Sequence, residues 1–171
     1  MNTLKDLLTE FCIRHPLILH EETSNKRLFL IENGLSRVPE FTSTLPENIS
    51  PCVLWDLMDD GRKFVSLGKQ QVKRIVYFLA QTESGSNLPD TEPEVESTMN
   101  TLLGLVYEFR EFISQSQDNR DARAMGIDLN FDIFPYGPFY NGWYSMGVSI
   151  ECTEIVRCSQ HTLLPIQNTS E

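Results

Sequence analysis

The sequence predicts an α+β fold with a mostly antiparallel sheet and two helices packed on one face. Two segments, residues 3–14 and 93–113, space their apolar residues as amphipathic helices do. Two others, residues 127–133 and 143–156, alternate apolar and polar residues as half-buried strands do. A chain of 171 residues can bury a core without disulfides. We therefore expect one domain over residues 1–158 and a polar, flexible tail over residues 159–171.

The first third of the chain is predicted to contain one helix and one strand. The helix begins near Thr3, ends before Pro16 and has an apolar face of Leu4, Leu7, Leu8 and Phe11. Residues 26–32 (K-R-L-F-L-I-E) read as a strand, and Asn33-Gly34 predicts a turn after it. Residues 37–51 contain three prolines, so we expect a loop there.

The central segment is predicted to contain a short hairpin followed by another strand. Residues 52–58 are apolar enough for a buried strand, Asp60-Gly61 predicts a tight turn, and residues 62–67 can return antiparallel. Residues 70–80 are compatible with a helix or a long strand. Their β-branched and aromatic residues favour the strand.

A polar connector over residues 82–93 leads to the longest predicted helix. Thr91 and Glu94 can form a capping box, with Pro93 in the first turn. The apolar stripe of this helix consists of Val95, Met99, Leu102, Val106, Phe109 and Ile113. After a polar and flexible stretch at 115–123, the strands at 127–133 and 143–156 are expected to pair as a hairpin over the helix.

The loop between these last two strands is the strongest candidate for a functional surface. Its sequence over residues 135–143 is P-Y-G-P-F-Y-N-G-W. The candidate interface consists of its four aromatic residues and the tyrosine that follows the loop: Tyr136, Phe139, Tyr140, Trp143 and Tyr144. Exposed aromatic side chains at a hairpin tip are typical of protein interfaces. The sequence leaves open whether these rings contact a partner or fold back onto the core of the domain.

Catalytic and metal-binding patterns are incomplete in this sequence. Asp128, Asn130 and Asp132 begin a calcium-loop pattern, but Ile133 stands where the loop needs glycine and Phe139 where it needs glutamate. If these residues lie on a strand, the Asp128 and Asp132 carboxylates could be spaced as in an inverting glycosidase. The alternative function is therefore a small ligand-binding domain or hydrolase, with the aromatic loop over Asp128 and Asp132.

Cys12, Cys52 and Cys152 are expected to be small buried apolar residues, not ligands. The four cysteines, which include Cys158, form no close pair. The alternative is a zinc site of Cys152, Cys158 and His161, completed by Cys12, His15 or His20. We expect neither a metal nor a cofactor. Since no signal sequence is recognisable at residues 1–6, a reducing cytosol is the expected compartment.

Charge and hydropathy bear on the classes of partner. The formal net charge is −10, and the densest basic group is Lys63, Lys69, Lys73 and Arg74. So few bases on an acidic chain argue against specific nucleic-acid binding and fit a solvated face or an acidic protein neighbour. No run of about 18 apolar residues occurs, so membrane insertion is not expected.

The predicted element order resembles that of the tail-terminator and neck or tail-completion proteins of tailed phages. The resemblance is nearest at G-I-D-L-N-F-D-I-F (residues 126–134) followed by N-G-W-Y-S-M-G-V-S-I (residues 141–150). It implies a non-enzymatic virion protein, made in the bacterial cytoplasm and located in the tail or neck. Its implied partners are further copies of itself in a ring and the adjacent tail or neck proteins. That family is defined by shape, so the resemblance assigns no functional residue.

Overall fold

The fold is α+β, as the sequence predicts, and is built on a five-stranded sheet. The computed structural model describes residues 3–32, 34–66, 69–85, 89–116 and 125–155. In chain order the elements are α1 (Leu4–Arg14), β1 (Leu28–Ile31), α2 (Val38–Thr44), β2 (Cys52–Ser66), β3 (Lys69–Gln81), α3 (Glu92–Ser116), β4 (Asp132–Tyr136) and β5 (Trp143–Ile155). Short 3₁₀ turns cover Gly34–Ser36, Glu47–Ile49 and Tyr140–Gly142. The strand order is β1-β2-β3-β5-β4, and only the β1–β2 pair is parallel.

The larger core lies between the sheet and the two predicted helices, α1 and α3. Thr3 and Asp6 form a reciprocal capping box at the start of α1, which gives hydrogen-bond partners to two backbone N–H groups there and stabilises this short helix. The ring centroid of Phe11 on α1 lies 5.1 Å from that of Phe109 on α3 and 6.4 Å from that of Phe78 on β3. The alternating residues of β5 face this core as predicted: Tyr144, Met146, Val148, Ile150 and Cys152.

The opposite face of the sheet is covered at one end by α2, where the sequence predicted a loop. That prediction was wrong because Pro39 stands in the first turn of α2, where a missing N–H costs no intrahelical bond. Val38 is fully buried in a second cluster formed with Leu54, Tyr77, Leu79 and Trp143. The sheet is therefore covered on both faces at the end near α2.

The predicted hairpin turn at Asp60-Gly61 is absent. β2 runs through these residues as one strand and pairs with β3 from Cys52↔Leu79 to Ser66↔Lys69. Irregularities in register between Trp55 and Asp59, and between Asp59 and Arg62, take up the turn-like residues, and Gly61 adopts a φ of +151°. Residues 62–66 thus continue β2, and the antiparallel return is β3, which confirms the preferred strand at residues 70–80.

The last hairpin exists but begins later than predicted. Residues 127–131 are not a strand, although Asp128 N–H donates to Glu151 O at 2.9 Å and Ile127 is buried in the larger core. β4 pairs with β5 only from Asp132↔Ser149 to Tyr136↔Ser145. The predictions for residues 117–123 and for the tail at 159–171 lie outside the described residues. No helix in the described part of the chain is long and apolar enough to cross a membrane.

Candidate functional site

The aromatic residues of the β4–β5 loop differ widely in exposure. Trp143 and Tyr144 are only 1% and 7% exposed, and they lie in the second cluster and in the larger core respectively. Tyr136 and Phe139 are half-buried against the second cluster. Tyr140 is 66% exposed, which makes its ring the accessible one of the five. The prediction that these residues form an interface therefore depends first on Tyr140.

Hydrogen bonds close this loop and hold it against the end of β3. Phe139 N–H donates to Trp143 O at 2.7 Å, and Gln81 Nε2 donates to Asn141 O at 2.7 Å. Gly137 has a φ of +132°, and a Cβ there would lie 2.7 Å from the ring of Tyr144. Tyr140 is thus presented by a loop fixed to the sheet.

A hydrogen-bonded group ties the connector before α3 to the same end of the sheet. Thr82 Oγ1 donates to Asp90 Oδ1 at 2.6 Å, and the Tyr144 hydroxyl donates to Asp90 Oδ2 at 3.1 Å. Burial, with the bond to Asp90, raises the pKa of Tyr144. The sequence predicted a solvated connector here, because nothing in it shows that Asp90 meets both Thr82, which follows β3, and Tyr144 on β5.

Glu94 is the best-anchored carboxylate at this end. It accepts hydrogen bonds from the Ser84 hydroxyl and from the N–H and hydroxyl of Thr91, the latter two at 2.9 and 2.7 Å. These bonds, with Ser84 first, lower the pKa of Glu94 to about 2. Of the predicted capping box, the bond from the Thr91 N–H to Glu94 is present, and the carboxylate stays ionised well below neutral pH.

An open groove of about 370 Å³ lies beside this anchored connector. Its lining includes Gln81 and Glu83 at the end of β3 and Glu94 and Thr101 on α3. Residues 75–109 contain six acids, Glu83, Asp90, Glu92, Glu94, Glu96 and Glu108, and no Lys or Arg. Since five of these six acids fall within residues 83–96, the negative charge is concentrated around this groove.

The opposite end of the sheet carries the bases of β2 and β3 beside acids of the neighbouring strands, such as Glu151 and Glu154 on β5. Residues 61–74 contain five bases and no acid, whereas the rest of the chain has nine Lys and Arg against 24 Asp and Glu. Lys73 contacts Asp132 at 3.1 Å and Arg74 contacts Glu154 at 2.8 Å. The outermost bases, Arg62, Lys63 and Lys69, are exposed. The basic group found in the sequence thus lies on the paired ends of β2 and β3.

Asp128 and Asp132 are both exposed, and each has a polar partner. Asp128 accepts from the backbone N–H and the side-chain amide of Asn130, each at 2.9 Å, while Asp132 contacts Lys73. The glycosidase spacing assumed one strand through both residues, but β4 begins at Asp132. Tyr136 lies four residues further along β4, about 13 Å away. The aromatic loop therefore follows the end of β4 remote from Asp132.

Cysteine placement agrees with the sequence for the three residues described. Cys12, Cys52 and Cys152 are free and buried, and burial raises the pKa of each thiol. Cys158 and His161 lie outside the described residues. Within the described ranges, no group of three or more His, Cys, Asp or Glu could hold a metal ion.

A buried carboxylate on β2 was missed by the sequence reasoning. Asp56 is 2% exposed and accepts the Met58 N–H at 3.0 Å. Burial raises the pKa of Asp56. Hydrogen bonds from the N–H groups of Met58 and Gly34, and the positive charge of Arg74, act in the opposite direction. A Cβ on Gly34, which has a φ of +55°, would lie 2.9 Å from Asp56 Oδ2. Asp56 therefore fixes the turn after β1 to the sheet.

The sequence matches no family model and no curated protein.

Proposed function

We propose that this protein is a non-enzymatic structural subunit of a phage-like particle, a tail-terminator, neck or tail-completion protein that forms a ring of identical copies. Its partners are further copies of itself and the adjacent tail or neck proteins, and its location is the virion. The support from the fold is the order of helix, strands, long helix and final hairpin. This is the order on which the resemblance to those proteins rests.

The observation that carries the proposal is the unequal length of the strands. β1 pairs with β2 only as far as Asp56, and β4 pairs with β5 only as far as Ser149. β2, β3 and β5 continue together beyond these points as a three-stranded ladder, out to Ser66, Lys69 and Ile155. Residues 125–128 remain hydrogen-bonded to β5 as far as Thr153, so the part of the ladder that extends beyond its neighbours is the outer part of β2 and β3. This part supplies an arm with which a small domain can contact a neighbouring subunit.

Exposed apolar side chains on the edge strands give further support. Leu30 on β1 is 51% exposed, Phe134 on β4 is 42% exposed, and Tyr140 follows β4. Leu30 also lines a groove of about 360 Å³ between β1 and α2, together with Phe41. Apolar side chains at both edges of one sheet are suited to contacts on two sides of a subunit, as a ring requires.

Native mass spectrometry and negative-stain electron microscopy of the purified protein test the ring. We expect one defined oligomer with a central opening, and a chain that stays monomeric up to its solubility limit would overturn the proposal. Immunogold labelling of tailed particles purified from the source cells tests the location. Label is expected at the tail end or neck, and particles that consistently lack the chain would exclude a virion role.

A further inference from the structure

Two buried histidines hold the α1–β1 loop, residues 15–27, through backbone hydrogen bonds. His15 is 7% exposed and His20 is 2% exposed. The Nδ1 atom of His15 accepts the Leu17 N–H at 3.3 Å, and the Nδ1 atom of His20 accepts the Arg27 N–H at 3.1 Å. Each imidazole therefore serves as the acceptor for a backbone N–H group of this loop.

The other ring nitrogen of each histidine faces a carboxylate. Nε2 of His15 contacts Glu108 on α3, and Nε2 of His20 lies 3.8 Å from Oε1 of Glu22. An ionised carboxylate only accepts hydrogen bonds, so Nε2 carries the proton and Nδ1 is left as the acceptor. Among the described residues neither ring belongs to a group that could hold a metal ion. The bonds of both rings are thus those of neutral histidine with its proton on Nε2.

Protonation changes the bonds of both rings in the same way. It places a proton on Nδ1, which then meets the N–H of Leu17 or Arg27 as donor against donor. A backbone N–H that loses its acceptor in a buried position is unfavourable. The carboxylates give little in return, because the side chains of Glu108 and Glu22 are 61% and 71% exposed and water screens their charges. The cationic form of either histidine therefore favours an open loop.

The titratable groups around His15 come from α1 and α3. Arg14, Tyr107, Glu108 and Glu111 line an open groove of about 510 Å³ beside this ring. Arg14 is already paired with a glutamate of its own helix at 2.9 Å. Because the groove is open, solvent reaches the edge of the ring, and protonation of His15 does not require the loop to open first.

The titratable groups around His20 come from α1 and from the loop itself. Glu22 faces its Nε2, and Lys26 pairs with the same carboxylate at 3.4 Å. The guanidinium of Arg27 donates to carbonyl oxygens of the segment before β2. Cys12 accepts the His20 N–H at its carbonyl, and burial raises the pKa of its thiol, which stays uncharged. Since Lys26 shares the Glu22 carboxylate, His20 gains little attraction when it becomes charged.

The segment that these bonds hold is strained and partly buried. Ile18 is fully buried in the larger core, whereas Leu19 has a φ of +47°, an unfavourable conformation for leucine. Asn25 Nδ2 donates to Leu19 O at 2.6 Å, and Arg27 O accepts the Val53 N–H at 2.7 Å, which joins the loop to β2. Loss of the imidazole bonds therefore removes part of what keeps this segment against the core.

We propose that the α1–β1 loop is a pH-sensitive switch, closed while His15 and His20 are neutral and open when they are protonated. Histidine changes its charge between about pH 5 and 8, so mild acidification opens the loop. The strands of the sheet contain no histidine, and they keep their structure over this range. The switch goes beyond the proposed function and does not depend on whether the protein forms a ring.

Amide hydrogen exchange, measured by NMR from about pH 7.5 to about pH 5.5, tests the switch. After correction for the intrinsic pH dependence of exchange, protection of the Leu17 and Arg27 N–H groups should fall by at least about tenfold at the lower pH. Protection of Val76 and Val148, which pair at the centre of the sheet, should not change. Constant protection at both loop positions would overturn the proposal, as would an equal loss of protection in the sheet.

Asparagine variants separate titration from hydrogen bonding. The Oδ1 atom of asparagine replaces Nδ1 as an acceptor and does not titrate. In His15→Asn with His20→Asn, the loss of protection at low pH should disappear, whereas His15→Phe with His20→Phe should show low protection at every pH. His161→Asn changes the third histidine of the chain and should behave as the wild type. A double asparagine variant that keeps the full pH dependence would overturn the proposal.

The ring nitrogens of the wild-type protein provide a measurement that needs no variant. The ¹⁵N chemical shifts of His15 and His20 should show a neutral ring with its proton on Nε2 at about pH 7.5 and a cationic ring at about pH 5.5. A ring with its proton on Nδ1 at the higher pH, or a ring still neutral at the lower one, would overturn the role of that histidine.

Discussion

Arg74 on β3 and Glu154 on β5 form a bidentate ion pair between neighbouring strands of the sheet. Nε and Nη2 of Arg74 donate to Oε1 of Glu154 at 2.9 and 2.8 Å, and Nη2 also lies 2.9 Å from Oε2. The guanidinium carbon lies 5.9 Å from the ring centroid of Trp55. This pair joins β3 to β5 on the ladder that extends past the short edge strands.

Breaking the pair on one side is expected to destabilise the fold. Both side chains are mostly buried, 13% and 32% exposed, so Glu154→Gln or Arg74→Met should lower the free energy of unfolding by about 1–3 kcal/mol. The double variant should lose less than the sum of the two single losses. Urea unfolding gives the coupling energy, and a value near zero would contradict a stabilising pair.

Alanine substitutions at two glycines, Gly147 and Gly104, provide a matched test of side-chain packing. A Cβ on Gly147 would lie 2.9 Å from Cε2 of Tyr136 and 3.3 Å from Tyr77, whereas a Cβ on Gly104 in α3 would meet nothing within 4 Å. Gly147→Ala should therefore lower stability by about 1–3 kcal/mol. Gly104→Ala should raise it by about 0.5–1 kcal/mol, since alanine favours the helix. Equal effects of the two changes in thermal melting would contradict this reading.

The buried carboxylate of Asp56 predicts a specific pH dependence. Its folded pKa is raised above the usual 3.8, so its contribution to stability is fully present below that value and is lost as pH rises through the folded pKa. Asp56→Asn removes the ionisation and keeps an acceptor for the N–H groups. The stability of this variant relative to wild type should accordingly increase as the pH is raised from about 3 to 7.

Asp56→Ala is the control for the hydrogen bonds of this carboxylate. It leaves the N–H groups of Met58 and Gly34 without their acceptor, so we expect a loss of about 1–3 kcal/mol at every pH. Urea titrations at several pH values measure both variants. An Asp56→Asn variant that is as unstable as Asp56→Ala at pH 7 would mean that the charged form is required.

Separate substitutions of the exposed ring and the buried ring test the role of the aromatic loop. Tyr140→Ala should weaken self-association and leave the melting temperature unchanged, with Tyr107→Ala, 55% exposed on α3, as the control. Trp143→Ala should instead cost about 3–5 kcal/mol of stability, because its ring is almost fully buried. Association unaffected by Tyr140→Ala would remove the loop from the proposed interface.

The hydrolase or ligand-binding alternative is tested at its two carboxylates. Asp128→Asn with Asp132→Asn should leave assembly and folding almost unchanged, apart from the surface contact of Asp132 with Lys73, which is worth less than about 1 kcal/mol. A screen for glycoside hydrolysis and a carbohydrate array should give the same result for both proteins. Activity in the wild type that the double variant lacks, with the oligomer intact, would favour the alternative.

The sequence was informative where local pattern and burial agree. The stripe of α3 and the alternation of β5 each bury one face of an element, so periodicity alone predicts them. The loop predicted around Pro39 and the turn predicted at Asp60-Gly61 were wrong because the local preferences of these residues fit more than one structure. A proline serves equally in a loop or a first helical turn, and a turn dipeptide can be absorbed into a long strand when a partner strand continues beside it.

The candidate surfaces were only partly predictable. The basic group was visible in the sequence, but its position opposite the acidic groove depends on the length of β3. The pairing of Asp90 with Thr82 and Tyr144 depends on three segments that meet only in the folded chain. Alternation also placed residues 127–131 on a strand, whereas their apolar residues pack against the core from irregular backbone.

Carboxylates gathered at one end of a sheet about 40 Å long give the molecule an uneven distribution of charge along its strands. Two such molecules that approach in solution repel one another most strongly when their acidic ends face each other, so other orientations have a lower energy. At physiological ionic strength this field extends about 8 Å from the surface, so it acts in the last stage of an encounter. Added salt should therefore make encounters between two acidic ends less unfavourable, even at a fixed protein concentration.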